Sequence, residues 1–320
     1  MVSDEQLGVF MNLSELKSSY YNGMIEKQRY IKKMHQIHQV LFEYAEFIRG
    51  TDIKSIEISD DSVIMTSRST DVKIICSPTD ERIAPIEILN FNYYEKTDFE
   101  MVLKLLEDDM TIFDIGANIG WYVINLSKKY PHAHIYAFEP IPKTFDYLNK
   151  NVSLNEISNV SLFNFGFANK EGKIEFYYYP EGSGNASLAN VSGSKNIEKI
   201  ICHVRKLDTF INENDLHLDF IKCDVEGAEL FVFKGGITAI ERDKPIIFTE
   251  LLRKWSAKFN YHPNELINLL KNLGYRCFSA KGDKLIEFFT MTDTTIENTF
   301  FFLHAIKHGH LIDKYYEESR

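Results

Sequence analysis

Phe113-Asp114-Ile115-Gly116-Ala117-Asn118-Ile119-Gly120 is the stretch on which the reading of this chain turns. The apolar run 110–115 is short, as a buried strand is. Ile119, Tyr122, Val123 and Leu126 then fall three to four apart, as on one face of a helix. A strand that passes through glycines straight into a helix opens an α/β unit. Open α/β sheets bind ligands at the carboxyl ends of their strands, beside a switch in strand order. The spacing is not G-x-G-x-x-G, so no pyrophosphate cradle is indicated. Gly116 and Gly120 are expected to let the backbone approach a ligand where a Cβ would clash. Asp114 is placed to hold an ammonium group, and Asn118 is counted with the same ligand-binding turn.

The next strand, 134–138, ends in Ala137-Phe138-Glu139-Pro140. A carboxylate at that strand end can accept both hydroxyls of a ribose. Ribose on Glu139 beside Pro140, with an amino-acid tail near Asp114 and Gly116, describes S-adenosylmethionine. Taken singly, Asp114 reads as a turn or cap residue and Glu139 as a strand-end acid; their joint placement on consecutive strand ends favours the cofactor.

A third signal is Lys222-Cys223-Asp224-Val225-Glu226-Gly227-Ala228-Glu229, where another strand enters a helix. Asp224 is expected at the cofactor and as general base. Glu226 and Glu250, from Phe248-Thr249-Glu250-Leu251, are its supporting acids. The bland alternative is that acids here only favour a helix N-terminus. Asp224 and Glu226 also suit Mg²⁺ or Mn²⁺, which take oxygen ligands and acidify a bound hydroxyl. His203 is a rival base, or a strand-edge histidine.

Working outward, helices are predicted over 98–107, 142–154, 226–234 and 263–273. Strands are predicted over 160–165, 218–223, 245–249, 275–279, 285–290 and 299–303. Such alternation implies a doubly wound, mostly parallel sheet covered on both faces. Residues 182–193 are rich in small side chains and read as a long functional loop. Upstream, 13–49 read as one helix with Met34, Ile37, Leu41, Ala45 and Ile48 on one face, packed on its own domain or forming a homodimer seam. A meander of three short strands follows over 53–77. Residues 1–92 are thus an N-terminal helical and β-meander extension, and 93–320 the catalytic domain.

Composition agrees with a soluble globular protein. Of 320 residues, 44% are hydrophobic and 26% charged, enough for a full core without staples. Acids outnumber bases 46 to 36, giving a net charge of −10, the wrong sign for a generic nucleic-acid binder. Cys76, Cys202, Cys223 and Cys277 form no CxxC pair and read as buried thiols. The first residues show no basic segment followed by an apolar run, and no stretch approaches a membrane span, so a cytoplasmic protein is expected.

Six segments then carry a family likeness: FDIGANIGWY (113–122), AFEP (137–140), NKNVSLN (149–155), KLDTF (206–210), IKCDVEGAELFVFKGG (221–236) and PIIFTE (245–250). In that order they resemble the FkbM-type methyltransferases, over roughly residues 93–250. The resemblance implies a Rossmann-like class I fold, S-adenosylmethionine as cofactor, and O-methylation of a sugar, a glycoconjugate or another natural product. No [DN]-P-P-[YFW] and no Pro-Cys nucleophile occurs, which disfavours amine and base-carbon acceptors. A small-molecule or glycan acceptor is therefore expected. Two rival classes are a methyltransferase-like binding module without turnover and a dinucleotide oxidoreductase, the latter disfavoured by the missing glycine pattern.

Overall fold

The computed structural model describes residues 12–182, 184, 186–190 and 196–318. Residues 13–49 form two helices rather than one, α1 (Leu13–Tyr21) and α2 (Lys27–Phe47). Asn22 caps α1 and Gly23 takes φ +70°, left-handed backbone that ends the helix. The three-stranded meander is present as β1 (Ile53–Ile58), β2 (Val63–Ser67) and β3 (Lys73–Cys76), all antiparallel. A helix not foreseen, α3 (Ala84–Phe91), follows. Pro85, which reads as loop punctuation, sits in its first turn, where a missing N–H leaves no bond unmade.

Helix and strand then alternate through α4 (Lys96–Leu105), β4 (Thr111–Ile115), α5 (Trp121–Lys129), β5 (His134–Phe138), α6 (Pro142–Leu154) and β6 (Val160–Phe163). The predicted strand 160–165 stops at Phe163 because Asn164 turns away, its Nδ2 donating to the carbonyls of Glu139 and Pro140 at 2.8 and 3.2 Å. Next comes a separate sheet of β7 (Gly166–Phe167), β8 (Gly172–Tyr178) and β9 (Glu198–Arg205), in the order β7-β9-β8. Of the loop read over 182–193, residues 183, 185 and 191–193 lie outside the described residues. Ser187 within it pairs with Tyr177 and donates its hydroxyl to the Glu226 carbonyl at 2.7 Å.

The main sheet is completed after α7 (Leu207–Glu213) by β10 (Phe220–Cys223), α8 (Glu229–Lys234), α9 (Ile237–Asp243), β11 (Ile246–Glu250), α10 (Arg253–Ser256), α11 (Pro263–Asn272), β12 (Tyr275–Lys281), β13 (Lys284–Glu287), β14 (Thr299–His304), α12 (Gly309–Tyr315) and β15 (Tyr316–Glu317). Nine strands run in the order β15-β13-β12-β14-β11-β10-β4-β5-β6. From β11 to β6 neighbours are parallel, while β14 is antiparallel to both β11 and β12. Every residue of β10 is buried, as both faces of a helix-covered parallel sheet require. Chain order reverses between β4 and β10, so the carboxyl ends of those strands frame the crevice where such sheets take ligands.

The meander is tied to this sheet through α6. Asn151 accepts from Ile75 N at 2.8 Å and donates to Ile119 O at 2.9 Å; Asn155 accepts from Lys73 N at 3.0 Å. Ile53, Val72 and Ile74 share one core with Ile124 and Leu148. Residue 92 therefore marks no break in packing. All four cysteines are buried and unpaired. Among the described residues no helix is long and apolar enough to cross a membrane.

Candidate active site

The turn after β4 is held by its neighbours on both sides. Gly116 N and Ala117 N both donate to Phe138 O at 3.0 Å, and Asp224 N donates to Ile115 O at 3.0 Å. Gly116 has φ +81°, and a Cβ built on it would stand 1.9 Å from the Asp224 carbonyl oxygen. The sequence reading assigned that space to a ligand; the structure gives it to the backbone of β10's exit. Gly120 needs a second correction. It lies off the cavity wall, and its Cβ would meet Leu148 Cδ1 at 2.7 Å, so it lets α5 approach α6.

A cavity of about 920 Å³ opens over this turn, near the upper end of the range for small-molecule sites. Asp114, Gly116, Asn118, Glu139, Pro140, Asp224, Glu226 and Glu250, from four strand ends, all line it. His203 does not. It sits on β9 between Cys202 and Val204, whose side chains are buried, and the two-residue period of a strand turns it to solvent.

Glu139 is buried, and both its oxygens are engaged: Oε2 accepts from Asn118 N at 3.0 Å and Oε1 from Ile141 N at 2.9 Å. Burial pushes its carboxyl up to about 7 against those two bonds. Each oxygen keeps a lone pair toward the cavity. Glu139 thus braces the Gly116–Asn118 turn as well as facing any ligand.

Lys222 is a residue that motif reading passed over except as a letter in its segment. Its Nζ lies 3.4 Å from Asp114 Oδ1 and 3.7 Å from Asp224 Oδ2, with the Tyr122 ring at 5.1 Å. Burial alone would depress this amine; the carboxylates of Asp114, Asp224 and Glu95 outweigh it and hold it above its ordinary value. The strand period explains the grouping, since Lys222 pairs with Asp114 across β10 and β4 and Asp224 stands two residues on.

Asp224, Glu226 and Glu250 bring one carboxylate oxygen each within 4.8 Å of one another. Glu226 is not in α8, as predicted, but in the turn before it, with left-handed φ of +58°. That conformation aims its side chain at the cavity instead of along the helix. Glu229 begins α8 and clamps the turn, accepting from Val225 N at 3.2 Å and Gly227 N at 2.9 Å. Burial, then the Asp224 charge, raises the carboxyls of both Glu226 and Glu250. Like charges so close repel one another.

Several buried side-chain atoms on this wall lack hydrogen-bond partners: Asp114 Oδ2, Trp121 Nε1, Asp224 Oδ1 and Glu226 Oε2. Buried polar groups are ordinarily paired, and these atoms offer hydrogen-bonding capacity to a polar ligand or to water. Sequence reasoning also missed Tyr94, Glu95, Trp121, Tyr122 and Trp255, which line the same cavity. Glu95 and Tyr94 precede the first motif in sequence, and Tyr122 hydroxyl donates to Glu95 Oε2 at 2.7 Å. Trp121 and Tyr122 stand inside a quoted motif, but nothing in their spacing signals a ligand role.

The strand order, its one antiparallel insertion at β14 and the acids at the ends of β4, β5 and β10 define a class I methyltransferase fold. The profile of the Methyltransferase FkbM domain matches residues 114–277, and the chain belongs to the FkbM methyltransferase family. It is 32% identical over 146 residues to Methyltransferase 1 of Beauveria bassiana, across 40% of this chain and 59% of that protein. It is 30% identical over 148 residues to the hexuronic acid methyltransferase AglP of Haloferax volcanii, across 46% of this chain and 58% of that one. It is 28% identical over 170 residues to the 2-O-methyltransferase NoeI of Sinorhizobium fredii, across 48% and 68%. The match thus spans less than two thirds of the length of the first two relatives.

Proposed function

We propose that this protein transfers a methyl group from S-adenosylmethionine to a hydroxyl of a sugar, sugar nucleotide or glycoconjugate. The observation that carries the reading is the trio Asp224, Glu226 and Glu250 at the exits of β10 and β11, on an aromatic-walled cavity. The donor fits the residues present. Asp114 and the turn through Asn118 would hold its amino-acid tail and Glu139 its ribose, and the unpartnered Asp114 Oδ2 would gain a partner. When bound, the donor supplies an electrophilic methyl on a positively charged sulfur. The acidic wall favours such a charge.

The chain's own part is to seat the acceptor and remove its proton. Asp224 is the group to take it: its side chain keeps 31% exposure and stands 3.7 Å from Lys222 Nζ. Asp224 would take the hydroxyl proton of the acceptor as that oxygen receives the methyl group. Glu226 and Glu250, whose carboxyls burial raises, are positioned as neutral donors to the acceptor's other oxygens. Trp121, Trp255 and Tyr94 offer flat apolar faces to a sugar ring. The sugar reading is supported by the hexuronic acid methyltransferase of Haloferax, and the oxygen acceptor by the 2-O-methyltransferase of Sinorhizobium; a non-sugar hydroxyl uses the same machinery.

A second reading has its own observation. The three close carboxylates, with Glu226 Oε2 unpartnered, are an oxygen set suited to Mg²⁺ or Mn²⁺. Transfer of labelled methyl onto a panel of glycan acceptors tests the main reading. Asp224→Asn should lower turnover 10²-fold or more with donor affinity nearly unchanged. Wild-type turnover in that variant sinks the assignment. Loss of activity in EDTA, restored by Mg²⁺ or Mn²⁺, selects the metal; indifference to EDTA selects the plain base.

A further inference from the structure

We infer that α2 pairs antiparallel with α2 of a second copy of this chain, making the protein a two-fold dimer. The inference is independent of the chemistry above. α2 has 21 residues, and none of them is buried. At 1.5 Å per residue it runs roughly 31 Å. In proteins most of a helix's stability comes from packing of its apolar face. Yet Ile31, Val40, Leu41, Phe42, Tyr44 and Phe47 are all exposed on it, Phe42 by 68%. Met34, Ile37, Leu41, Tyr44 and Ile48 recur three and four apart, the spacing of a helix-pairing seam. α1 covers the first turn, where Tyr20 stacks on Tyr30 at 4.5 Å, but the C-terminal half is left bare.

Charge identifies the occupant. Lys27, Lys32 and Lys33 stand at the N-terminal end of α2, with no acid in its first turn. Glu43 and Glu46 stand toward its C-terminal end, with no base in its last turn. That order opposes the helix's own dipole at both ends. An antiparallel copy corrects both at once: its acidic end lies along this basic end, its dipole is reversed, and the contact is self-complementary, as a two-fold interface must be. An anionic lipid surface would draw the basic end but repel the acidic one, which is where the bare aromatic residues lie.

Sedimentation velocity on the full chain tests this. The wild type should sediment as a dimer at micromolar concentration. Leu41→Asp with Tyr44→Asp should give a monomer that keeps a cooperative thermal unfolding transition, because no residue of α2 is buried. Lys32→Glu with Lys33→Glu should weaken the dimer at least tenfold, and adding Glu43→Lys with Glu46→Lys should restore it. A monomeric wild type overturns the inference, as does a dimer indifferent to the seam variants. Failure of the double charge reversal to restore pairing excludes the antiparallel arrangement and overturns it too. So does recruitment of wild type, but not of the seam variant, to phosphatidylserine vesicles without self-association.

Discussion

Glu139 and Gly116 show how one residue can serve the site and the fold together. Glu139→Ala removes the proposed ribose acceptor and also the partner of Asn118 N and Ile141 N. The expected loss of S-adenosylmethionine affinity is about 1.5–3 kcal/mol, the scale for hydrogen bonds to a charged group. A lower melting temperature of the ligand-free protein should accompany it, read by calorimetry and thermal unfolding on one sample. If affinity is unchanged, the ribose assignment fails; if only the melting point falls, Glu139 is a brace alone. Gly116→Val should behave differently from a simple blocked pocket. With Cβ 1.9 Å from the Asp224 carbonyl, β4 and β10 cannot both keep their places, so circular dichroism should report loss of folded protein. A folded variant with intact binding would show that the turn can relax. His203→Ala, in contrast, should leave turnover unchanged, since its side chain faces solvent.

The motif segments divide by what they do within their elements. NKNVSLN is a joint between elements: buried Asn151 links β3 to the turn before α5, and Asn155 repeats the grip one helical turn on. In KLDTF, Asp208 accepts from Thr238 N at 3.2 Å and Ala239 N at 2.8 Å, capping α9. Asn151→Leu should therefore destabilise the protein by about 1–3 kcal/mol for each buried group left unpaired, measured by urea denaturation. A change within experimental error would mean that water replaces the side chain. The alternating elements from β4 onward were legible in sequence because buried strands and amphipathic helices carry distinct periods. The strand-end acids Asp114, Glu139, Asp224 and Glu250 were legible because they lie at or next to those strands. The small sheet of β7, β8 and β9 was legible only as two strands flanking the 182–193 loop, since its pairing joins residues distant in sequence. Lys222's role and Glu95's were not legible. A buried ion pair joins residues distant in sequence, and nothing local announces it.

At the scale of the whole molecule, the acids crowded around one cavity couple stability to pH. Burial raises Glu139 and Glu229 to about 7 from an ordinary 4.5. A raised carboxyl binds its proton more tightly in the folded state. Its stabilising contribution is full below about pH 4.5 and is lost as pH rises through about 7. The ligand-free protein should therefore be less stable at pH 8 than at pH 5, measured by thermal or urea unfolding. A cationic donor offsets the ionised acids, so the rise in melting temperature that S-adenosylmethionine produces should be larger at pH 8. Binding near neutrality should release protons, which calorimetry in buffers of different ionisation enthalpy detects. Stability flat across this range would mean that these carboxyls are not raised above their unfolded value in the free protein.

The chain has two tryptophans, and Trp121 and Trp255 both stand on the cavity wall. No indole elsewhere contributes to the protein's emission. Fluorescence excited selectively in tryptophan is thus a built-in optical gauge of this one cavity. Donor, product and acceptor can each be titrated by quenching or spectral shift, in native protein and without a label. Trp121→Phe and Trp255→Phe would separate the two signals. With them, the order in which the ligands arrive can be followed in stopped flow, before any acceptor has been converted.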